Sequence, residues 1–333
     1  MSKKLAIILV NWNSYELTND TLQSLYQTSY KDYDIICVDN ASTDASLHQL
    51  RINHPQIIIL TCDKNTGFTG GNNKGMQYAI QHGYAYTLLL NNDVAVESDF
   101  LAPLVQALDT NKNLGAVQPL IYFHHDRTLI WNAGTRFNKW WGITKTIGYN
   151  KKDQHRAARH ENIKVEKREN ETIAYPTHSY TISTTQQPIQ KIDWITGCAF
   201  MVKTEVLKKV GLLYEPFFIY YEDVDLSFRI KNAGYDLGYV PASVIYHIAG
   251  MSHKSTKKNA EGYVSPKVHY LNARNHIWLL KKYTNLLHAP TVILYQSLYY
   301  LSVTAYFILR GRWQKIKALY KGIGEGIKYG MHS

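Results

Sequence analysis

Along this chain, short unbroken apolar runs alternate with stretches in which apolar residues recur at helical spacing. Residues 5–10 (Leu-Ala-Ile-Ile-Leu-Val) and 34–38 (Asp-Ile-Ile-Cys-Val) are rich in β-branched side chains, the pattern of strands buried on both faces. Between them Leu17, Thr21, Leu22 and Leu25 predict a helix over 15–26. Further strands are predicted at 57–60 and 86–90, the second after a helix over 72–82 that Gly83 ends. Alternation of this kind predicts an α/β fold with parallel β-α-β units, and such sheets bind ligands at the carboxyl ends of their strands. Here those ends read Asn11-Trp12-Asn13, Asp39-Asn40-Ala41-Ser42, Asp63-Lys64-Asn65 and Asn91-Asn92-Asp93. Four successive strand ends carrying Asn or Asp mark a binding site.

A second block starts near Ile192, continues through a predicted helix over 203–210, and reaches Phe217-Phe218-Ile219-Tyr220-Tyr221-Glu222-Asp223-Val224-Asp225. An aromatic run leading straight into three carboxylates is costly, because burial raises carboxylate pKa values. Such a run suits a site that handles protons or a cation. If a helix starts near Glu222, Asp225 and Arg229 lie at i and i+4 and form an ordinary stabilising pair. That leaves Glu222 and Asp223 for chemistry. His247 ends another apolar strand, a place where a histidine is commonly structural. Between the two blocks, residues 151–190 are charged and then Thr/Ser/Gln/Pro-rich, and read as a flexible insertion.

Composition adjusts this picture in three ways. At 333 residues and 45% hydrophobic content the chain is globular and long enough for one large domain with an appendage. Cys37, Cys62 and Cys198 lack metal-type spacing and suit a reducing compartment. The apolar run at 5–10 is too short for the core of a secretory signal and reads as the first strand. The net charge of +11 is also uneven: 13 Lys and Arg from Lys254 onward face only Glu261 and Glu325, and residues 1–253 carry 24 of each sign.

That basic quarter surrounds residues 291–309, which include no charged side chain but several tyrosines, serines and threonines. Such a segment fits a helix lying in a membrane interface, with basic flanks meeting anionic headgroups; a single span and a helix buried against another chain or domain are the alternatives. An anionic membrane surface, not nucleic acid, is the expected partner of this end.

Asn65-Thr66-Gly67-Phe68-Thr69-Gly70-Gly71-Asn72-Asn73 opens a helix, where glycines allow close backbone approach and the helix N-terminus favours phosphate. No Gly-Lys-Ser/Thr follows, so this is not a Walker loop. The turn after the first strand holds no glycine for a dinucleotide pyrophosphate. Asn91-Asn92-Asp93 offers oxygen ligands for a hard divalent cation that phosphates would complete.

Taken together, these motifs resemble the family 2 glycosyltransferases of the GT-A fold, with the bacterial rhamnosyltransferase-like members most similar. The residues that carry the resemblance are Val10-Asn11-Trp12-Asn13, Val38-Asp39-Asn40-Ala41-Ser42, the glycine-rich stretch, Leu90-Asn91-Asn92-Asp93, Thr196-Gly197-Cys198 and the aromatic–acidic run. The resemblance spans about residues 4–280.

It implies inverting transfer of a sugar from a nucleoside diphosphate to an acceptor hydroxyl, with rhamnose from dTDP-rhamnose the best-fitting donor. A UDP-hexose donor, UDP-galactofuranose, or an inactive glycan-binding subunit are the alternatives. Asp39 would hold the nucleoside. Asn11, Asn13, Asn65, Gly67, Gly71, Asn73, Asn92, Trp194 and Gly197 would line the nucleotide-sugar site. Asp93, with Asn91 and His247, would hold Mg2+ or Mn2+, and Asp223 would be the general base with Glu222 beside it. Asn91 departs from the usual Asp-x-Asp pattern by bringing no charge, and the insertion is longer than the family leads one to expect.

The implied organisation is a transferase domain over residues 1–280. Its nucleotide-sugar half is 1–120, the flexible insertion 150–190 and the acceptor and catalytic half 191–280. Residues 281–333 form a helical membrane-associating appendage. The acceptor would be a glycan or lipid-linked precursor of a cell-surface polysaccharide, met at the cytoplasmic face of a bacterial inner membrane.

Overall fold

The computed structural model describes residues 4–153, 188–248, 254–259 and 261–331. Most of the predicted insertion at 150–190 therefore lies outside the described residues. The chain opens as β1 (Leu5–Asn11), α1 (Tyr15–Tyr26), β2 (Tyr33–Asp39), α2 (Ser46–Asn53), β3 (Ile58–Thr61), α3 (Gly67–Gln81) and β4 (Tyr86–Leu90). It continues through β5 (Val94–Val96), α4 (Leu101–Thr110), β6 (Leu114–Phe123), β7 (Ile130–Asn132) and a hairpin of β8 (Thr135–Asn138) and β9 (Ile143–Thr146). The second block holds β10 (Gln190–Lys191), β11 (Ala199–Lys203), α5 (Thr204–Val210), α6 (Glu222–Asn232), β12 (Asp236–His247), β13 (Lys254–Asn259) and β14 (Gly262–Val264). Three helices close the chain: α7 (Pro266–Tyr283), α8 (Ala289–Leu309) and α9 (Trp313–Lys328).

The main sheet runs β10-β12-β6-β11-β4-β1-β2-β3. Its first half is parallel, as the apolar runs predict: β1 pairs in parallel with β2 and β4, and β2 with β3. The second half is mixed, because β11 lies antiparallel between β4 and β6 while β12 returns parallel to β6. Apolar side chains fill both faces. Leu5, Ile7 and Leu9 of β1 point to one layer, and Ala6 and Ile8 to the other, so burial on both sides accounts for the unbroken apolar strands.

α3 starts five residues earlier than its apolar spacing predicts. Its first two turns are the glycine-rich stretch itself, and the reason is close packing. A Cβ on Gly71 would come within 2.7 Å of Val10, and one on Gly75 within 2.5 Å of Ile8, so glycine lets α3 sit directly on β1. Gly67 takes a φ of +74° and a Cβ there would lie 2.4 Å from the Phe218 carbonyl oxygen. That position needs glycine for both its dihedral and the contact.

At the carboxyl-terminal end, α9 lies along α7 so closely that a Cβ on Gly322 would reach 2.4 Å from the Tyr270 carbonyl. Lys281 Nζ donates to the Ile327 carbonyl at 2.8 Å, which ties the far ends of the same two helices. Between them in sequence, α8 buries only Val292, Gln296 and Phe307. Ile293, Leu294, Leu298 and Leu301 of α8 remain more than half exposed.

Candidate active site

The strand ends converge as their polar residues predict, and many of those residues hold one another. Asp39, almost fully buried at the end of β2, accepts from Asn11 Nδ2 at 3.0 Å and from the Ser42 hydroxyl at 2.6 Å on one oxygen. The Ser42 amide donates to its other oxygen at 3.1 Å. Asn13, in a left-handed turn with φ +50°, accepts from the Thr43 amide at 2.7 Å. Asn40 accepts from the Thr66 amide at 3.0 Å and donates to Asn65 Oδ1 at 3.2 Å. Asn65 in turn accepts from the Gly67 amide at 2.8 Å. The loop into α3 is thereby fixed to the end of β2.

Three predicted contacts are spent elsewhere in the fold. Asn73 donates to the Leu213 carbonyl at 2.9 Å and accepts from the Leu213 amide at 3.0 Å, which ties α3 to the segment before the acids. Asn92 donates to Ser14 and Thr18 at 2.9 Å each, bracing the entry of α1. Trp194 packs with Val224, Phe228 and Leu279 as a small apolar cluster.

The acids lie on the first turn of α6. Asp223 Oδ2 accepts from the Gly197 amide and Oδ1 from the Val224 amide, both at 2.8 Å. Burial pushes its carboxyl up to about 6, against the pull of those backbone donors. Glu222 is 4% exposed, and its Oε2 finds no hydrogen-bond partner among the described residues. Burial, with the Asp223 charge alongside, holds Glu222 well above the usual carboxylate range. One of the two can thus be ionised while the other keeps its proton.

Asp225 is fully buried and takes Arg229 Nε at 2.8 Å, Lys282 Nζ at 2.9 Å and the Tyr283 hydroxyl at 2.7 Å. The i to i+4 pair read from sequence is present, with two further partners from α7. Asp225 is therefore saturated.

The approach to the acids is bent. Phe218, Tyr220 and Tyr221 have φ values of +66°, +76° and +70°, an unfavourable region for bulky side chains. Asn275 of α7 holds this loop: its amide nitrogen lies 3.0, 2.9 and 3.0 Å from the Phe217, Ile219 and Tyr220 carbonyls, its two hydrogens shared among the three. Arg274 adds a bond to the Pro216 carbonyl at 2.7 Å, and the Thr69 amide of α3 donates to the Phe218 carbonyl at 3.2 Å. His276 stacks on Tyr221 with centroids 5.0 Å apart. Burial lowers its imidazole to about 4, so its neutral Nε2–H donates to the Gly142 carbonyl at 2.9 Å. Sequence reasoning missed Asn275, Arg274 and His276.

At the other side of the Gly197–Cys198 turn lies the candidate cation pair. The Asn91 amide donates to the Cys198 carbonyl at 2.9 Å, so two adjacent residues touch Asp223 on one side and the end of β4 on the other. His247 Nε2 approaches Asp93 Oδ1 to 3.2 Å and Asn91 Nδ2 to 3.4 Å. Asp93 Oδ1 and His247 Nδ1 are buried without a hydrogen bond among the described residues. The His247 ring is held edge-on by Trp131 at 4.6 Å. Burial lowers the His247 imidazole, but Cys198 and Asp93 beside it outweigh this and push it up to about 10.

No cluster of three or more His, Cys, Asp or Glu side chains converges on a metal position among the described residues. What is present is a buried carboxylate facing the His247 ring, an imidazole that must give up its Nε2 proton before it can bind a cation, and an amide. This oxygen- and nitrogen-bearing set fits a hard cation whose remaining positions come from diphosphate and water.

The match to known proteins decides the lineage. The family model described as glycosyl transferase family 2 covers residues 6–211, well over half the chain. The chain belongs to this family. It is 23% identical over 72% of its length to the low-salt glycan biosynthesis hexosyltransferase Agl10 of Haloferax volcanii, of which it spans 65%. A shorter match, 30% identical over 22% of the chain and 25% of the relative, is to the N-acetylglucosaminyl-diphospho-decaprenol L-rhamnosyltransferase of Mycobacterium tuberculosis. The chain thus spans less than two thirds of the length of either relative. Its fold is GT-A. A mannosyltransferase from Pyrobaculum calidifontis, solved in complex with GDP-Man and Mn2+, aligns with a TM-score of 0.53 at 15% identity over 97% of this chain and 87% of its own. The family match ends before Glu222 and Asp223, so the acid-bearing half of this family 2 chain rests on the geometry above.

Proposed function

We propose that the chain is an inverting glycosyltransferase that moves a sugar from a nucleoside diphosphate to an acceptor hydroxyl. The observation that carries this is the Gly197–Cys198 turn. It places a base-competent carboxylate and a candidate cation pair on either side of two adjacent residues. Asp223 keeps an unengaged lone pair on each oxygen after its two backbone bonds, and its raised pKa suits proton transfer near neutrality.

In this reading the Asn11–Asp39–Ser42 knot and Asn13 shape the nucleoside end. The glycine-rich start of α3 closes the donor side. Asp93, His247 and Asn91 would hold Mg2+ or Mn2+, and the ion would supply positive charge for the departing diphosphate. The acceptor hydroxyl gives its proton to Asp223 as its oxygen attacks the anomeric carbon, and the bond from that carbon to the diphosphate oxygen breaks with inversion. Glu222 stays protonated beside Asp223 and orients the acceptor through a hydrogen bond. The mycobacterial relative's name favours a rhamnosyl donor, with UDP-hexose or UDP-galactofuranose as the competing class. An inactive glycan-binding subunit is the non-enzymatic alternative, and the presence of Asp39, Asp93 and Asp223 argues against it.

The closing helices support attachment to a membrane at the cytoplasmic face, where a lipid-linked glycan acceptor would arrive. α8 is long and apolar enough to cross a bilayer by length and composition, with mean hydropathy 1.5. Crossing would nonetheless carry α9 to the side opposite α7, and the contacts of Gly322 and Lys281 hold α7 and α9 together. A helix lying in the plane of the interface fits both facts. Incubation of the purified chain with dTDP-, UDP- and GDP-sugars and Mn2+ should release nucleoside diphosphate with one of them. Absence of release with every donor, in a folded protein that still binds nucleotide sugar, would turn the reading to the binding subunit.

A further inference from the structure

Resting on that membrane-associated reading, we propose that the β8–β9 hairpin and the turn between α7 and α8 form a second docking element for an anionic bilayer. The hairpin tip presents Trp140 and Trp141, 50% and 41% exposed, and the turn presents Leu286 and Leu287, 93% and 69% exposed. The two segments form one surface. The Trp140 ring meets His288 edge-on at 4.5 Å, and Thr291 donates to the Trp140 carbonyl at 2.6 Å. A Cβ on Gly142 would lie 2.5 Å from Leu280 and 3.2 Å from Val292, so the tip is wedged between α7 and the start of α8. Asn138 accepts from the Trp140 and Trp141 amides at 3.0 and 3.3 Å, which fixes the tip.

Charge names the occupant. Beside Trp140 lies a cleft of about 470 Å³ lined by Arg136, Lys139, Lys145, Asp193 and His288. Arg136 and Lys145 face each other across the β8–β9 ladder, a like-charge pair that destabilises a hairpin, although Arg136 also donates to the Lys191 carbonyl at 3.0 Å. The acid in this cleft, Asp193, is already engaged by Lys231 at 2.9 Å and by the Phe137 amide at 3.0 Å. Tryptophans beside leucines, next to a cleft whose three basic side chains outnumber its one acid, match the level of a bilayer where acyl chains meet phosphate headgroups. A second copy of the chain would bring the same basic cleft to face its own and be repelled.

The position has a consequence for the site. The Gly142 carbonyl at the tip accepts from His276, whose ring stacks on Tyr221 beside the acids. The same carbonyl, with that of Trp141, accepts from Gln296 of α8. Docking through the tip therefore fixes the height of Asp223 above the lipid.

The test is flotation of the full chain with vesicles of phosphatidylglycerol and phosphatidylcholine against phosphatidylcholine alone. The comparison includes Trp140→Ser/Trp141→Ser and Lys139→Gln/Lys145→Gln, each checked for unchanged circular dichroism and nucleoside diphosphate release. The wild type should float with anionic vesicles. The tryptophan pair should lose about tenfold in partitioning, and the lysine pair should lose the preference for the anionic lipid. If the wild type floats and both variants float equally well, the hairpin proposal is overturned and α8 alone carries attachment. If the wild type floats with neither vesicle, the membrane reading itself falls. A wild-type dimer that the tryptophan variant converts to monomer, without any lipid binding, would overturn the proposal and make the face a contact between copies.

Discussion

Asn275→Leu removes the side chain that reaches three carbonyls of the bent acid-bearing loop while keeping the volume of the site. Its amide shares two N–H hydrogens among three carbonyls at 2.9–3.0 Å, worth about 1 kcal/mol net per hydrogen, and about 1–3 kcal/mol for a carbonyl left buried and unpaired. Holding the loop without it would therefore cost about 2 kcal/mol or more. The three bulky residues with positive φ store about 1–3 kcal/mol each, so relaxing the loop recovers a similar amount. The two terms are comparable, and the loop is expected to relax instead of staying bent at full cost. Melting temperature should then fall by about 2–6 °C, and nucleoside diphosphate release should drop at least about tenfold as Glu222 and Asp223 lose their placement. Calorimetry and a coupled phosphate assay on the same preparation measure both. A variant that melts within a degree of the parent and turns over within twofold would refute the idea that Asn275 sets the geometry of the acids.

Asp223→Asn should lower turnover by about 10²–10⁴-fold and leave nucleotide affinity unchanged, whereas Glu222→Gln should cost less; the reverse order in steady-state kinetics would move the base to Glu222. Because Asp223 is raised to about 6, turnover should fall as pH drops below 6. The stability linked to Asp223 runs the other way: it is fully present below about pH 4 and is lost as pH rises through 6. Asp223→Asn should therefore melt higher than the parent at pH 7.5 and alongside it near pH 4, as pH-dependent denaturation would record. His247→Ala should weaken Mn2+ binding at least about tenfold in isothermal titration while circular dichroism is retained, and unchanged affinity would remove His247 from the ligand set. Gly67→Ala should destabilise by about 1–3 kcal/mol, because it forces both a positive φ and a contact at the Phe218 carbonyl; an unchanged urea midpoint would show that the contact can give way.

The strand ends were legible because a short polar cluster after each apolar run has one place to go in a parallel sheet. Asp225 was legible as far as helical spacing reaches, which gives Arg229 but not Lys282 or Tyr283. The start of α3 was not legible: glycine carries no apolar signal, and only the closeness of Val10 and Ile8 explains why a helix begins there. Nor does the sequence announce the antiparallel β11, whose apolar run reads the same in either direction. Asn275 shows the hardest limit. Its partners are backbone carbonyls more than fifty positions away, and no side-chain pattern records which carbonyls a bent loop leaves without donors.

These partners give α7 a larger part in the site than any strand end. Asn275 at its middle fixes the loop entering α6, and Lys282 and Tyr283 at its end fix Asp225 one turn into α6. The acids are therefore held from before and behind by one helix. That helix also supports α9 along its length and sets the hairpin tip against α8 through Leu280. The donor-side residues are fixed by the ends of the parallel strands, and the acids by a helix belonging to the closing layer. In the proposed reading, the strand ends serve the donor while the placement of Asp223 follows the closing helix α7. Because α7 also seats the hairpin tip, on that reading the position of Asp223 and the surface proposed to meet lipid are set by the same packing.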